Sequence, residues 1–490
     1  MMKRREFIST TAMAGTFAAS TAGVTLKRKR PNLLFVFSDQ HRRQAMGFMH
    51  EDPVITPVFD DFAKRALVFT SAVAEVPISS PNRACLLTGC YTQNNTVHSN
   101  DCALPLTGET LGDVLKQNGY STGYVGKWHL NGDPKGHHKD FVPRDRRHGW
   151  DYWFKSVMHW HFTPTYYGDT PEIIREEGWI PERTTDKALD FILNKNAVRD
   201  TSKPFALVVS YAPPHNGGGP GFETKWNPGK PQKTLGYGYA APERFEALYQ
   251  PCEKLERRPN VRPVGKMQDS SCETLPGYFG AITSIDEQFG RMLEALRKNG
   301  ELENTIIVYT ADHGEMLGSQ GRMTKGIWYE ESIGVPMLIS WPGKIPAGKT
   351  DEPFNSIDLM PSLLGLMELP VPARVDGTDF SPLMRGQEME TPGKAFIQFD
   401  KGLFYGNQEA DRYWRGVRTK KYTYVLTQAV YKSMSGDGCE VLYDNENDPY
   451  QMKPVFRGQD QDEVMDELKA EVVAWLDSTS DPFMEKFWKK

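Results

Sequence analysis

Asn32-Leu33-Leu34-Phe35-Val36-Phe37-Ser38, followed at once by Asp39-Gln40, is a short unbroken apolar run that stops at a carboxylate. A strand exposed on one face alternates apolar and polar side chains. A continuous run of this length fits a strand covered on both faces, as in a parallel sheet. Residues 123–125, 205–211 and 305–310 (TIIVYT) repeat the pattern. Between these runs lie helical segments at about 56–66, 109–117, 184–194 and 278–299. Thr56-Pro57 supplies a start signal, and Asn118-Gly119 and Gly300 supply stops. Strands alternating with helices predict an α/β unit with a mostly parallel central sheet flanked by helices. After about residue 345 the alternation fades into short strands at 395–399, 413–418 and 422–426 and a helix at 462–476. The expectation is a main domain over 31–345 and a smaller C-terminal α+β domain over 346–490.

Composition narrows the function. A hydrophobic share of 39% supports large cores, so disorder is not the expected state. The net charge is −5 and no long basic run follows the first 30 residues, which argues against nucleic acid as the partner. No apolar stretch reaches the ~18 residues that span a bilayer. Lys3, Arg4 and Arg5 precede a mild Ala/Thr/Gly-rich stretch, the pattern of a twin-arginine signal peptide and leader over 1–30. The export machinery and a periplasmic or secreted location follow as expectations. Cys85, Cys90, Cys102, Cys252, Cys272 and Cys439 form no CxxC pair, so a zinc cluster or redox dithiol is not expected. In an oxidising compartment one pair could bridge, and spacing does not select which.

Two stretches carry chemistry. Ser79-Ser80-Pro81-Asn82-Arg83-Ala84-Cys85-Leu86-Leu87-Thr88-Gly89 reads as a loop entering a proline-started helix with an arginine in its first turn. The free amides and positive end of that helix favour an anion beside Ser79. Ser-x-Pro is also a common capping sequence, so alone it decides nothing. Asp39 ends the first strand and Asp312-His313-Gly314 ends the strand at 305–310, so both fall at the carboxyl edge where open α/β sheets bind ligands. Two carboxylates and an imidazole there make an oxygen-rich cation cradle, suited to calcium or magnesium rather than zinc. The plain alternative for Asp-His-Gly is an ordinary turn.

The eleven residues from Ser79 closely resemble the signature of type I sulfatases, in which Cys or Ser is followed by x-Pro-x-Arg and then Leu-Thr-Gly. The resemblance runs from about residue 31 to 345 and resumes at Leu442-Tyr443-Asp444 and Asp448-Pro449. It implies an alkaline phosphatase-like fold. It also implies that Ser79 is oxidised to Cα-formylglycine by a serine-type maturation enzyme. One Ca2+ would be held by Asp39, Gln40, Ser79, Asp312 and His313. Gln40 departs from the family's usual second Asp, and Asn82 stands where many relatives have Ser. Three more segments match in order: Gly126-Lys127-Trp128-His129, Tyr211-Ala212-Pro213-Pro214-His215, and Lys325-Gly326 ahead of Tyr329-Glu330-Glu331-Ser332. An extended backbone would point Lys127 and His129 the same way.

The implied roles are Ser79 as nucleophile precursor, Arg83 holding its hydrate, and Lys127 and Lys325 binding sulfate. His129 would be the base and His215 the acid that protonates the leaving alcohol. The expected activity is hydrolysis of a sulfate ester on a sulfated mono-, oligo- or polysaccharide. A phosphatase or phosphonate monoester hydrolase of the same superfamily is the nearest alternative. A non-catalytic sulfated-glycan binder follows if Ser79 stays unmodified. The aromatic-basic stretch 144–162, with Trp150, Trp153 and Trp160, fits a sugar-stacking rim or a structural cluster equally well. Residues 216–275 read as a Gly/Pro-rich insertion of surface loops.

Overall fold

The computed structural model describes residues 30–132, 141–157, 160–217, 238–261, 265–400, 413–427 and 439–485. The leader reading lies outside them, as do residues 218–237 and 262–264 of the 216–275 insertion. The described part of that insertion is not all surface loop, since the helix Gly265–Lys298 begins within it and Tyr239, Tyr249 and Cys252 pack into a buried cluster. A ten-stranded sheet forms the main unit. In chain order its strands are β1 (Asn32–Asp39), β2 (Leu67–Phe69), β4 (Ser121–Gly126), β5 (Tyr152–Ser156), β6 (Thr165–Tyr167), β7 (Ile173–Arg175), β8 (Phe205–Pro214), β9 (Thr305–Ala311), β10 (Met337–Ser340) and β11 (Gly348–Thr350). β3 (Ala72–Val73) pairs instead with β12 (Phe354–Asn355) in a two-stranded ladder. The order β11-β2-β10-β9-β1-β8-β4-β5-β6-β7 puts the opening run of the sequence near the middle. β9, β1, β8, β4 and β5 are parallel, so they end at one edge. The flanks, from β10 on one side and β6 on the other, enter antiparallel, so the sheet is mixed around a parallel centre.

The apolar run of β1 is buried on both faces. Leu33, Phe35 and Phe37 pack into one core with Ala84, Leu86 and Leu87 of the helix Ser79–Thr88 and with the helix Leu359–Leu366. Leu34 and Val36 pack into the other with Ile285, Phe289 and Met292 of the helix Gly265–Lys298. Each such side chain contributes roughly 1.5–3 kcal/mol by leaving water. The helix Leu111–Gln117 begins at Thr110, whose side chain and that of Asp113 cap each other's backbone N–H.

The second unit is a five-stranded antiparallel sheet of β13 (Lys394–Phe399), β14 (Trp414–Thr419), β15 (Tyr422–Thr427), β16 (Cys439–Asp444) and β17 (Val455–Phe456). One face carries the helix Asp462–Ser478 through Met465, Leu468, Val472 and Trp475. The other face packs Ile397, Trp414 and Val441 against Ile78, Trp328 and Ile333 of the main unit. The Trp414 indole donates to Gly326 O at 3.2 Å, so the small sheet backs the chain segment that carries Lys325.

Trp150 and Trp153 are 2% exposed and pack with Tyr124 and Trp128, which makes them core rather than a sugar rim. Trp160 is half-buried, with the Arg175 guanidinium over its ring. Cys252 is disulfide-bonded, whereas Cys85, Cys90, Cys102 and Cys439 are free. Among the described residues no helix is long and apolar enough to cross a membrane.

Candidate functional site

The parallel strands converge on one edge. Asp39 closes β1, Asp312 follows β9, and Lys127 follows β4. β4 and β8 come very close there: a Cβ on Gly126 would lie 1.9 Å from Ser210 O, and its φ of +111° suits glycine. That contact lets Lys127 N donate to Ser210 O at 2.9 Å and sets the lysine over the edge.

Ser79 is the first residue of its helix, not the residue before it; the N-cap is Ile78. All ten helix residues are buried, which fixes Ser79 in the cluster. Its hydroxyl donates to Asp39 Oδ2 at 3.1 Å and stands 3.3 Å from His313 Nε2. Lys127 Nζ donates to Ser79 Oγ at 3.4 Å and to Asp39 Oδ2. One turn along the helix, Arg83 donates to Asp39 Oδ2 and to Asp312 Oδ2, both at 2.9 Å. Its third nitrogen donates to Lys127 O and Ser210 Oγ, both at 2.8 Å. The guanidinium therefore ties three strand ends to the helix.

His313 Nε2 lies 3.6 Å from both Asp39 Oδ1 and Asp312 Oδ1. Gln40, at φ +66°, donates its backbone N–H to Asp312 Oδ1 at 3.0 Å, and its side-chain oxygen accepts from Lys325 Nζ. Asn82, the unusual residue of the Ser79 stretch, donates to Asp312 O and accepts from Ser356 Oγ at 2.6 Å.

The electrostatics are unbalanced. Burial alone would raise the Asp39 carboxyl, but Lys127, His215, Arg83 and His313 together hold it well below the usual carboxylate range. Burial and the neighbouring Asp39 push Asp312 up to about 7, against the pull of Arg83 and Lys127. Burial brings the Lys127 ammonium down to about 8, although Asp39 opposes this. Burial and Lys325 hold His313 well below the ordinary imidazole range.

The cluster therefore gathers Asp39, Gln40, Ser79, Arg83, Lys127, Asp312, His313 and Lys325. His215 is half-buried just past β8, near enough to act on the Asp39 charge. His129 departs from the extended reading. β4 ends at Gly126 and His129 takes a left-handed φ of 60°, so alternation with Lys127 does not apply. Its carbonyl accepts from Ser80 Oγ at 2.5 Å, which ties that turn to the helix start. Sequence reasoning missed Ser210, Tyr239 and Glu315. Ser210 sits inside an apolar strand, where a lone serine gives no signal. Glu315 was adjacent to Asp312-His313-Gly314 and so was within reach.

Asp39, Asp312 and His313 offer ligand atoms all within 4.8 Å of one another. Among the described residues none donates a hydrogen bond to the buried Asp39 Oδ1. A mixed α/β sheet with such a cluster at its carboxyl edge is the build of an alkaline phosphatase-like hydrolase of anionic esters. The family model described as Sulfatase matches residues 31–369, and the C-terminal model of N-sulphoglucosamine sulphohydrolase matches 318–477. The chain belongs to the sulfatase family and is a sulfatase enzyme. It is 33% identical to an ulvan-active sulfatase of Formosa agariphila, over 93% of this chain and 83% of the relative. It is 32% identical to an endo-4-O-sulfatase of Bacteroides thetaiotaomicron, over 94% of each. A solved structure from work on glycosaminoglycan metabolism by Bacteroides thetaiotaomicron superposes with a TM-score of 0.79 at 31% identity, covering 94% of this chain and 99% of that one. A phosphonate monoester hydrolase of Agrobacterium radiobacter, at 20% identity and TM-score 0.66 over 92% of this chain and 96% of that one, shares the fold.

Proposed function

We propose that this sulfatase removes a sulfate ester from a sulfated mono-, oligo- or polysaccharide, with Ser79 as the residue that becomes the nucleophile. The observation that carries the reading is the convergence on Ser79 Oγ: a carboxylate at 3.1 Å, an imidazole at 3.3 Å and an ammonium at 3.4 Å, all at a helix N-terminus. A plain serine hydroxyl is a weak nucleophile at neutral pH. Asp39, the carboxylate that accepts from it, is held by two cations well below the usual carboxylate range and is a poor base. Oxidation of Ser79 to formylglycine by a serine-type maturation enzyme would supply the missing reactivity.

Asp39, Gln40, Ser79, Asp312 and His313 would hold one Ca2+, a fit supported by the orphaned Asp39 Oδ1 and the oxygen-rich donor set. When bound, the ion supplies fixed positive charge toward an anionic substrate. Arg83 holds Asp39 and Asp312 in register with Ser79. Lys127 and Lys325 bring positive charge to where the ester oxygens would lie, where negative charge builds in the transition state. His129 is assigned as base and His215 as the acid at the leaving alcohol.

The carbohydrate class rests on relatives named ulvan-active sulfatase, endo-4-O-sulfatase and N-acetylglucosamine-6-O-sulfatase. Export through a twin-arginine leader at 1–30 belongs to the same reading. Parallel measurement of kcat/KM on nitrophenyl sulfate, nitrophenyl phosphate and a panel of sulfated saccharides tests it. The expected result is turnover of the aryl sulfate and of at least one saccharide above the phosphate. Preference for the phosphate would move the chain to the phosphohydrolase branch.

A further inference from the structure

A carboxylate offers a cation either of two equivalent oxygens, but an amide offers only one end. Gln40 can serve a cation in one orientation and repels it in the other. Its Nε2 donates to Glu315 Oε2 and to the Tyr239 hydroxyl, each at 2.5 Å. The Tyr239 hydroxyl in turn donates to Glu315 Oε2 at 2.6 Å. The amide nitrogen is thus turned to Glu315 and Tyr239, while Oε1 accepts from Lys325 Nζ. Turning the amide by half a rotation would set its oxygen against the Glu315 carboxylate and its NH2 against an ammonium. Two hydrogen bonds would become two repulsions.

Glu315 is itself held still. It is fully buried, and its Oε1 accepts from Leu317 N at 2.9 Å and from Thr324 N at 2.6 Å. The carboxylate therefore receives four donors from Gln40, Tyr239 and the 317–324 turn. The turn that delivers it is equally tight: Glu315 N donates to Glu331 O at 2.7 Å, and a Cβ on Gly314 would lie 2.1 Å from that oxygen. Gln40 is pinned from the backbone side, with its N–H on Asp312 and its carbonyl accepting from Tyr278 Oη at 2.9 Å.

We propose that Glu315 is the positioning residue of the cation cradle. It holds the Gln40 amide so that the oxygen, not the nitrogen, faces the group formed by Asp39, Asp312 and His313. The same contact accounts for an amide at position 40, since a carboxylate there would meet the buried Glu315 charge to charge. The inference rests on the cation reading above and concerns only how Gln40 is oriented.

Calorimetric titration of the full chain with CaCl2, paired with thermal unfolding at matched calcium, tests both separately. Glu315→Gln is isosteric and replaces one acceptor oxygen with a donor. It is expected to weaken calcium binding about 10–100-fold, the usual cost of losing a group that orients a ligand. The exchanged pair Gln40→Glu with Glu315→Gln restores one amide and one carboxylate in contact. It is expected to bind calcium more tightly than Glu315→Gln alone, even where the single variant folds poorly. Unchanged affinity in a folded Glu315→Gln protein, or an exchanged pair no better than the single variant, would overturn the role of Glu315. Absence of calcium binding by the unaltered protein would instead overturn the cation reading, and this inference with it.

Discussion

Two clusters of buried charge in this molecule use the same kinds of side chain and come out opposite. Where the small sheet meets the main unit, Glu330 accepts from Arg43 Nη2 at 2.5 Å and from Arg418 Nε at 3.2 Å. Burial would raise that carboxyl, yet Arg418 and Arg43 bring it down to about 2. Glu331 beside it accepts from Arg258 at 3.1 Å and from Asn260 at 2.7 Å. At the strand edge the carboxylates crowd each other instead. Asp312 rises to about 7, Lys127 falls to about 8, and Asp39 Oδ1 has no hydrogen-bond partner among the described residues. The first cluster pairs each carboxylate with arginine and holds two units together, although Arg43 Nε and Nη1 and Asn260 Oδ1 find no hydrogen-bond partner among the described residues. The second sets two carboxylates against each other, and crowded charge of this kind is where a ligand can complete the balance.

Removing a carboxylate should therefore have opposite consequences in the two places. Asp312→Asn should lower kcat/KM on nitrophenyl sulfate by roughly 10³-fold, equivalent to several kcal/mol of transition-state stabilisation. Its unfolding midpoint in chelator should change little, because one of two crowded carboxylates has been neutralised. An Asp312→Asn protein with full turnover in chelator would erase the contrast.

Glu330→Ala should do the reverse. It leaves Arg43 and Arg418 facing each other without their shared anion, and buried charges stripped of a partner cost about 3–5 kcal/mol. Denaturant unfolding should show that loss, while turnover per folded molecule stays within a few-fold. A large fall in turnover with unchanged stability would place the junction in the working machinery.

The parallel centre of the sheet was legible because β1 and β9 are unbroken apolar runs, and burial on both faces leaves no other pattern. The edge strands β5, β6 and β7 were not. Tyr152–Ser156 and Thr165–Tyr167 mix aromatic and polar residues in three- to five-residue pieces, which carry no periodicity. That is also why Trp150 and Trp153 stayed undecided between rim and core: an indole reads the same in both places. Asp39, Ser79, Arg83, Lys127, Asp312 and His313 were legible because each sits at a strand end or helix start. The geometry of His129 was not, since a positive φ after Gly126 breaks the extended alternation, and no local residue signals it. Gln40 was visible as a departure from the family pattern. Its meaning needed Tyr239 and Glu315, which lie 199 and 275 residues away in sequence.

The account turns on the chemical state of Ser79. Mass spectrometry of the peptide containing Ser79, from active enzyme made in a host that oxidises serine, tests it most directly. The account predicts a side chain two hydrogens lighter than serine that reacts with hydrazides, with Ser80 unmodified and turnover proportional to the modified fraction. Fully active enzyme with an intact serine hydroxymethyl group at position 79 would contradict it.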